Sequence, residues 1–223
     1  MQIFLDTANI EQIRQGARLG IIAGVTTNPS LMMKEGLADY EAAVKEICTI
    51  ISGPVSVEVN AEDPAGMIKQ GRAMSKWAPN TVIKIPSTMA GLEATSTLAR
   101  EGIKVNFTLC FSVNQALLAA LAGAAFVSPF VGRLDDIGHD GMELVRDIIT
   151  VYKNYDFNTR VIAASIRHPL HCTEAAKAGA HIATVPYNIL IQMIQHPLTD
   201  AGCARFLADW KTACQKQGKT GKV

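Results

Sequence analysis

The sequence has no excess of charge of either sign. Its 223 residues include 21 lysines and arginines and 20 acidic residues, which give a formal net charge of +1. The basic residues are scattered along the chain rather than grouped, so no partner nucleic acid is expected. Since 48% of the residues are hydrophobic and 18% are charged, the chain is expected to fold rather than to remain disordered.

Cysteine pairs and an export signal are also lacking. The five cysteines are widely spaced and include no C-x-x-C pair, which argues against a disulfide framework and against a zinc site. The first residues, MQIFLDTANI, have no basic start and reach an aspartate at position 6, unlike a secretory signal peptide. We therefore expect a cytoplasmic protein.

No long hydrophobic run is free of interruption. The stretch from Val105 to Gly132 contains no charged residue, but asparagine, glutamine, glycine and proline break it. A buried helix followed by a buried strand accounts for this stretch better than a membrane span does. We expect no membrane partner.

A glycine-rich phosphate turn is missing as well. No G-x-G-x-x-G occurs, and the first predicted strand continues into LDTANI, which contains no glycine. An open doubly wound sheet, the alternative α/β architecture, would favour such a turn after its first strand. Nucleotide binding by that route is therefore disfavoured.

What the chain does contain is a repeated alternation of short and long segments. Eight short runs, rich in β-branched residues, are separated by segments of helical length, which is typical of parallel strands joined by helices. The runs are IFLDTA, GVTTNP, VSVEVN, TVIKIP, KVNFTL, AFVSPF, RVIAAS and HIATVP. We predict an α/β protein with a single (β/α)8 TIM barrel. Residues 1–210 would form the barrel and an extra C-terminal helix, and residues 211–223 the helix end and a loose tail.

Polar residues occupy strand positions that should face the interior of the barrel. Within TVIKIP, Lys84 shares a face with Val82, whereas Ile83 and Ile85 face the helices. The same alternation places further polar side chains inward, near the C-terminal ends of their strands, where barrel active sites form. These residues are Asp6, Glu58, Asn106, Thr108, Ser128 and Ser165.

The chemistry expected of an inward lysine is imine formation. A neutral lysine attacks carbonyl groups to form a Schiff base, and positioned carboxylates supply the proton transfers. Because a carboxylate in direct contact favours the ammonium form, we expect Asp6 and Glu58 to lie a water or a substrate atom away from Lys84. The alternative is a purely structural ion pair between Lys84 and Glu58.

Two arginines and two histidines follow the predicted strand ends. Arg133 and Arg167, with Ser165 as a further donor, form a plausible phosphate site. His168 and His171 lie close together in HPLH. With no third ligand such as a nearby carboxylate, we predict that they begin a helix rather than bind a metal.

Taken together, the motifs resemble those of the transaldolase family, in the short-subunit branch that includes the fructose 6-phosphate aldolases. The resemblance extends from Ile3 to about Trp210. It rests on FLDTAN, GVTTNPSL, VSVEV, VIKIP, NFTLCFS, SPFVGR and ASIRH.

This resemblance implies a cleavage of ketose phosphates without metal or cofactor. Lys84 would form the imine with the C2 carbonyl, and Asp6 would take the proton from the C4 hydroxyl. Glu58 and Thr108 would hold a water that shuttles protons. Sugar hydroxyls and the phosphate would be bound by Asn28, Asn106, Ser128, Arg133, Ser165 and Arg167. Relatives of this size form homo-oligomers, pentamers or decamers, in which C-terminal residues such as Phe206, Leu207 and Trp210 would contact a neighbour.

Two positions bear on the reaction type. In proteins resembling the aldolases, the place of Glu58 is typically a glutamine and that of Phe130 a tyrosine, whose hydroxyl assists release of free dihydroxyacetone. The resemblance therefore favours a transaldolase of the pentose phosphate pathway. It would transfer a dihydroxyacetone unit from fructose 6-phosphate or sedoheptulose 7-phosphate to erythrose 4-phosphate or glyceraldehyde 3-phosphate.

Three alternatives remain open from the sequence. The first is a fructose 6-phosphate aldolase, and the second is a barrel that binds sugar phosphates without turnover. The third is a Schiff-base aldolase acting on deoxyribose phosphate, which would place a second lysine beside Lys84. Lys104 is a weak candidate for it, since its position at the start of a strand lies toward the opposite end of the barrel.

Overall fold

Eight parallel strands form a closed barrel in the computed structural model, which describes residues 1–36 and 39–216. Neighbours in the barrel are consecutive in the chain, and β1 pairs with both β2 and β8. The strands are β1 (Gln2–Asp6), β2 (Ile22–Thr26), β3 (Val55–Glu58), β4 (Thr81–Pro86), β5 (Val105–Cys110), β6 (Phe126–Pro129), β7 (Arg160–Ala163) and β8 (Ile182–Val185). The predicted (β/α)8 barrel is confirmed, and the open doubly wound sheet is excluded.

Helices follow the strands around the outside of the barrel. They are α1 (Ile10–Arg18), α2 (Pro29–Lys34), α3 (Tyr40–Ile50), α4 (Pro64–Met74), α5 (Met89–Arg100), α6 (Val113–Leu121), α7 (Val131–Asp135), α8 (Gly141–Asn154), α9 (Pro169–Ala178), α10 (Tyr187–Ile194) and α11 (Pro197–Lys216). Helix α11 is the extra C-terminal helix expected from the sequence. The expected loose tail falls largely on residues 217–223, outside the described residues.

Local sequence explains where several helices begin and end. The Asp63 side chain caps α4 by accepting a hydrogen bond from Gly66 N, with Pro64 in the first turn. Ser112 caps α6 in the same way. At the end of α9, Gly179 has φ +81°, a left-handed conformation that glycine adopts without strain.

The hydrophobic residues form an inner and an outer layer. Inside the barrel, Phe4, Val82, Phe126, Ile162 and Ile182 pack together and are buried. Residues of opposite parity on the strands, such as Ile83 and Ile85, belong to a larger cluster shared with the helices. The alternation predicted for TVIKIP is therefore confirmed, and the polar residues one step further along the strands lie above the inner layer.

No helix within residues 1–36 and 39–216 has the length and apolar character needed to cross a bilayer.

Candidate active site

Strand register brings Lys84 beside Glu58 at the centre of the barrel. Glu58 pairs with Lys84 across β3 and β4, and Lys84 pairs with Asn106 across β4 and β5. The Lys84 side chain is buried, with Nζ 3.0 Å from Glu58 Oε2 and 3.3 Å from the Thr27 carbonyl oxygen, to which it donates. The lysine is thus held between a carboxylate and a backbone acceptor.

This contact corrects one expectation. Glu58 was expected a water or a substrate atom away from Lys84, and that expectation is wrong. Residues paired directly across parallel strands present their side chains on the same face, so Glu58 and Lys84 become neighbours. A buried ammonium also requires a partner, because isolating a charge from water is unfavourable. No direct ion pair joins Asp6 to Lys84 among the described residues, so only the Glu58 part of that expectation is contradicted.

Asp6 is held by a chain of hydroxyl groups on β2 and β8. Thr26 Oγ1 donates to Asp6 Oδ1 at 2.8 Å, and the Thr184 hydroxyl is hydrogen-bonded to Thr26. Because the single hydroxyl proton of Thr26 is directed to Asp6, Thr184 must donate to Thr26. Burial raises the pKa of the Asp6 carboxyl, while the Lys84 ammonium opposes that rise. A carboxyl group with a raised pKa is suited to proton exchange with a substrate.

Asn106 joins Ser56 and Ser128 in a second row of hydrogen-bonded polar side chains beside Lys84. Its Nδ2 donates to Ser56 Oγ at 3.1 Å, and its Oδ1 accepts from Ser128 Oγ at 2.7 Å. Thr108 Oγ1 is buried and has no hydrogen-bond partner among the described residues. Since a buried hydroxyl normally has a partner, Thr108 is available to a water or a substrate atom.

Most of the predicted site residues line one cavity at the C-terminal end of the barrel. The cavity measures about 590 Å³ when counted out to its open mouth. Its lining consists of Asp6, Thr26, Asn28, Lys84, Thr108, Ser128, Phe130, Arg133, Ala164, Ser165, Arg167 and Thr184. Of the predicted residues, Glu58 and Asn106 are not part of this lining and contact it through Lys84 and Ser128.

Ser165 reaches the cavity by a route that alternation does not describe. Strand β7 ends at Ala163, and the inward position of Ile162 makes Ala164 the next inward residue. The prediction that Ser165 faces inward by strand parity is therefore wrong. Ser165 has φ +61°, in the left-handed region, and this turn of the backbone carries it to the cavity wall.

Asn28 and the two arginines complete the open part of the cavity. Asn28 Oδ1 caps α2 by accepting from Leu31 N at 2.9 Å, which leaves its amide Nδ2 available as a donor. The guanidinium carbon of Arg133 lies 5.4 Å from the Phe130 ring centroid. Arg167 Nη2 donates to Asp136 Oδ2 at 2.8 Å. Two cations and an amide donor thus face a space that suits an anionic group.

The two histidines of HPLH do begin a helix. His168 caps α9, with its side chain accepting from His171 N. The expectation that no carboxylate lies nearby is wrong, however, because Asp135 Oδ2 is 2.7 Å from His171 Nε2. Ligand atoms of Asp135, His168 and His171 all lie within 4.8 Å of one another. His171 Nδ1 accepts from Arg167 N, so Nε2 carries the proton and donates to Asp135, which leaves His171 no free lone pair for a metal.

Sequence reasoning missed Thr26 and Thr184. Their positions carried a usable signal, since each lies one inward step beyond a residue of the barrel interior, as Thr184 does beyond Ile182. Threonine is common in strands for steric reasons, however, and its hydroxyl alone does not indicate a site.

The chain as a whole is similar to known proteins of one family. A family model described as Transaldolase/Fructose-6-phosphate aldolase matches residues 3–219. A protein of Dehalococcoides mccartyi named probable transaldolase is 66% identical over 213 residues, covering 95% of this chain and 99% of its own. A protein of a Thermoanaerobacter species, also named probable transaldolase, is 58% identical over 213 residues, covering 96% of this chain and 98% of its own.

Solved structures resemble the chain in fold. The thiamine phosphate pyrophosphorylase of Pyrococcus furiosus superposes with a TM-score of 0.59 at 13% identity, covering 83% of this chain and 85% of its own. At that identity the likeness supports the barrel alone.

Proposed function

The chain belongs to the transaldolase/fructose-6-phosphate aldolase family, and from this premise we propose that it is a transaldolase acting through a Schiff base on Lys84. It would move a dihydroxyacetone unit from fructose 6-phosphate or sedoheptulose 7-phosphate to erythrose 4-phosphate or glyceraldehyde 3-phosphate. Such an activity belongs to the pentose phosphate pathway in the cytoplasm. The observation that carries the proposal is a buried strand lysine, paired with Glu58, in a cavity that also contains Asp6 and two arginines.

Imine formation is assigned to Lys84, Glu58 and Thr108. Glu58 Oε2 lies 3.0 Å from Lys84 Nζ and can accept its proton, which frees the amine to attack the C2 carbonyl of the ketose. Glu58 returns its proton to the hydroxyl of the resulting carbinolamine, which leaves as water and gives the protonated imine. The unpartnered Thr108 hydroxyl is suited to hold that water between the reacting carbon and Glu58.

Cleavage is assigned to Asp6. Its carboxylate takes the proton of the C4 hydroxyl, the C3–C4 bond breaks, and the aldose phosphate leaves as an aldehyde. The electron pair of that bond passes through C3 and C2 to the nitrogen of the protonated imine and neutralises its positive charge, so a neutral three-carbon enamine stays on Lys84. In transfer, C3 of this enamine attacks the acceptor aldehyde and Asp6 returns the proton. Hydrolysis of the new imine then frees the product ketose.

The lining residues suit the rest of the substrate. Asn28 Nδ2 and the Ser128–Asn106 pair offer hydrogen bonds to sugar hydroxyls. Arg133, Arg167 and Ser165 would bind the phosphate. With its phosphate at the mouth of the cavity and its C2 carbonyl beside Lys84, the substrate would lie along the length of the cavity.

Glu58 and Phe130 favour transfer over release of free dihydroxyacetone. Phe130 lines the cavity without a hydroxyl group and packs edge-on against Phe111, with ring centroids 5.8 Å apart. A site with no phenol to direct water at the enamine should retain the three-carbon unit until an aldehyde arrives.

Assembly into a homo-oligomer, a pentamer or decamer, is part of the same proposal. Phe206, Leu207 and Trp210 on α11 are 66%, 55% and 52% exposed. Large apolar side chains exposed along one helix are suited to contact with a second copy of the chain.

The experiment that tests transfer compares products with and without an acceptor. Purified protein is incubated with fructose 6-phosphate alone and with added erythrose 4-phosphate, and sedoheptulose 7-phosphate and dihydroxyacetone are assayed. Seven-carbon product that requires the acceptor supports a transaldolase. Abundant dihydroxyacetone without acceptor would make the protein an aldolase. No turnover in either case would favour a barrel that only binds sugar phosphates.

A further inference from the structure

Arg167 is held at three points by residues in and around α7. The first is its backbone. Arg167 N donates to His171 Nδ1 at 3.2 Å, and His171 Nε2 donates to Asp135 Oδ2 at 2.7 Å. The other carboxylate oxygen of Asp135 accepts from Gly141 N at 2.9 Å. The buried imidazole therefore ties the Arg167 backbone to the end of α7.

The second point is the aliphatic stem of the arginine. A Cβ atom added at Gly132 would lie 2.6 Å from Arg167 Cγ and 2.1 Å from the Ser165 carbonyl oxygen. Both distances are below van der Waals contact, so the stem lies directly against the backbone of α7. Any larger residue at position 132 would displace Arg167 from this path.

The third point is the guanidinium group. Arg167 Nη2 donates to Asp136 Oδ2 at 2.8 Å, and both side chains are about half exposed. A guanidinium has five N–H donors, and Asp136 engages one of them. Arg167 lines the cavity whereas Asp136 does not. The carboxylate thus holds the head of the arginine from outside the cavity and leaves donors free to face inward.

Arg133 is held differently. Its guanidinium carbon stands 5.4 Å from the centroid of the Phe130 ring, a cation–π arrangement inside the cavity. The two arginines of the anion site therefore depend on different supports, and a change at position 136 should act on Arg167 alone.

We propose that Asp136 is a positioning residue, which orders the Arg167 side chain before an anion arrives and thereby sets the preference of the site for phosphorylated over unphosphorylated sugars. This inference rests on the proposed function for its substrates, although binding of a simple anion tests it independently. An unsupported arginine at a half-exposed position loses rotamer freedom when it binds a phosphate, and a carboxylate that orders it in advance removes part of that entropy loss.

Asp136 also has an effect that would weaken phosphate binding. The negative charge of Asp136 repels an incoming phosphate, and it also competes for the same guanidinium. Because Asp136 lies outside the cavity lining and is half exposed, solvent and salt screen that repulsion. Because Asp136 takes a single donor, phosphate can bind Arg167 while this contact persists. Ordering is therefore the larger effect.

The test measures anion binding first and turnover second. Binding of inorganic phosphate is titrated by ³¹P NMR on the wild-type chain and on Asp136→Ala and Asp136→Asn. KM and kcat are then measured for fructose 6-phosphate and for unphosphorylated fructose as donors. Glu46→Ala is the matched control, because Glu46 forms a comparable half-exposed pair with Arg14, 2.9 Å apart, remote from the cavity lining.

We expect Asp136→Ala to raise the Kd for inorganic phosphate and the KM for fructose 6-phosphate by about 2- to 5-fold. Its kcat and the KM for fructose should stay unchanged. Asp136→Asn, whose amide oxygen still accepts from Arg167, should restore most of the affinity for phosphate and for fructose 6-phosphate. Glu46→Ala should behave as wild type.

Tighter phosphate binding in both Asp136 variants would overturn the proposal, since Asp136 would then be a competitor. Unchanged binding, or a wild-type chain that binds no phosphate, would overturn it as well. Weaker phosphate binding in Asp136→Ala together with no turnover of fructose 6-phosphate would support the positioning role while contradicting the proposed function.

Discussion

Glu58 Oε2 lies 3.0 Å from Lys84 Nζ, and the two residues are paired directly across β3 and β4. The contact gives the lysine a proton acceptor within hydrogen-bond reach, in a part of the barrel that excludes most solvent. In the proposed reaction, it would also place a carboxylate where water leaves during imine formation. The pair is therefore central to the proposed chemistry as well as to the packing of the barrel interior.

Replacement of Glu58 by glutamine tests its role as proton acceptor. Glu58→Gln keeps the shape of the side chain and removes the base, so imine formation on Lys84 should slow by about 10²-fold. The rate is measured by quenching the reaction with fructose 6-phosphate at short times and trapping the imine with borohydride. Glu174→Gln, which disrupts the exposed Lys177 pair, should leave that rate unchanged. Equal trapping rates in Glu58→Gln and wild type would show that another group accepts the proton.

Phe130 is expected to limit loss of the three-carbon unit to water. Phe130→Tyr adds a hydroxyl to a ring that lines the cavity, and it should raise the ratio of free dihydroxyacetone to transferred product. The ratio is measured with fructose 6-phosphate in the presence of erythrose 4-phosphate. The control is Phe111→Tyr, on the neighbouring ring outside the cavity lining. An unchanged ratio in Phe130→Tyr would count against this explanation.

Asp6 should favour activity at the expense of stability. Asp6→Asn removes the proposed base and should lower kcat by about 10²- to 10⁴-fold. Burial raises the pKa of the Asp6 carboxyl above its ordinary value of 3.8, so the unfolded chain releases this proton at a lower pH than the folded chain does. The contribution of Asp6 to stability is thus fully present below the unfolded pKa and is lost as pH rises through the folded pKa.

The corresponding measurement is thermal denaturation of wild type and Asp6→Asn across pH. Asp6→Asn should have the higher Tm at pH 7, and this advantage should disappear as pH falls below the ordinary range of an aspartate. A lower Tm at pH 7 would mean that attraction between Asp6 and the Lys84 ammonium outweighs the burial of the carboxylate.

Thr184 should support Asp6 through Thr26. Thr184→Val removes the hydroxyl that donates to Thr26 and leaves a buried acceptor unpaired, which should cost about 1 to 3 kcal/mol of stability. The Thr26 hydroxyl would also be less firmly oriented toward Asp6. As a result, kcat should fall several-fold, and the acidic side of the pH profile of kcat should shift. Thr184→Ser keeps the hydroxyl and should restore the wild-type pH profile. A stability loss with an unchanged pH profile would assign Thr184 a structural role only.

The barrel and the inward row of polar residues could be predicted because strand alternation depends on local sequence. Val82 and Lys84 share a face on β4 as their spacing requires. The Glu58–Lys84 ion pair, which the sequence offered only as an alternative, is present. Alternation could not decide in its favour, because the contact depends on the register between two strands, which alternation within either strand does not determine. The sequence spacing of the two residues contains no such information.

The remaining differences have equally specific causes. Ser165 itself adopts the left-handed backbone conformation that ends the alternation of β7, and a serine at this position does not predict that conformation. The Asp135–His171 hydrogen bond joins residues 36 positions apart, so HPLH alone could not reveal it. Local sequence thus predicts elements and faces, whereas contacts between elements require the closed barrel.

Locating the covalent intermediate tests most directly whether Lys84 forms the Schiff base. The protein is incubated with fructose 6-phosphate, reduced with borohydride, digested and mapped by mass spectrometry. We expect a reduced three-carbon unit on the peptide that contains Lys84, and no such unit in a Lys84→Met variant that retains phosphate binding. The assignment of Lys84 as the Schiff-base residue would be contradicted by an adduct on another lysine, such as Lys104. It would also be contradicted if the protein converted the substrate but no adduct could be trapped.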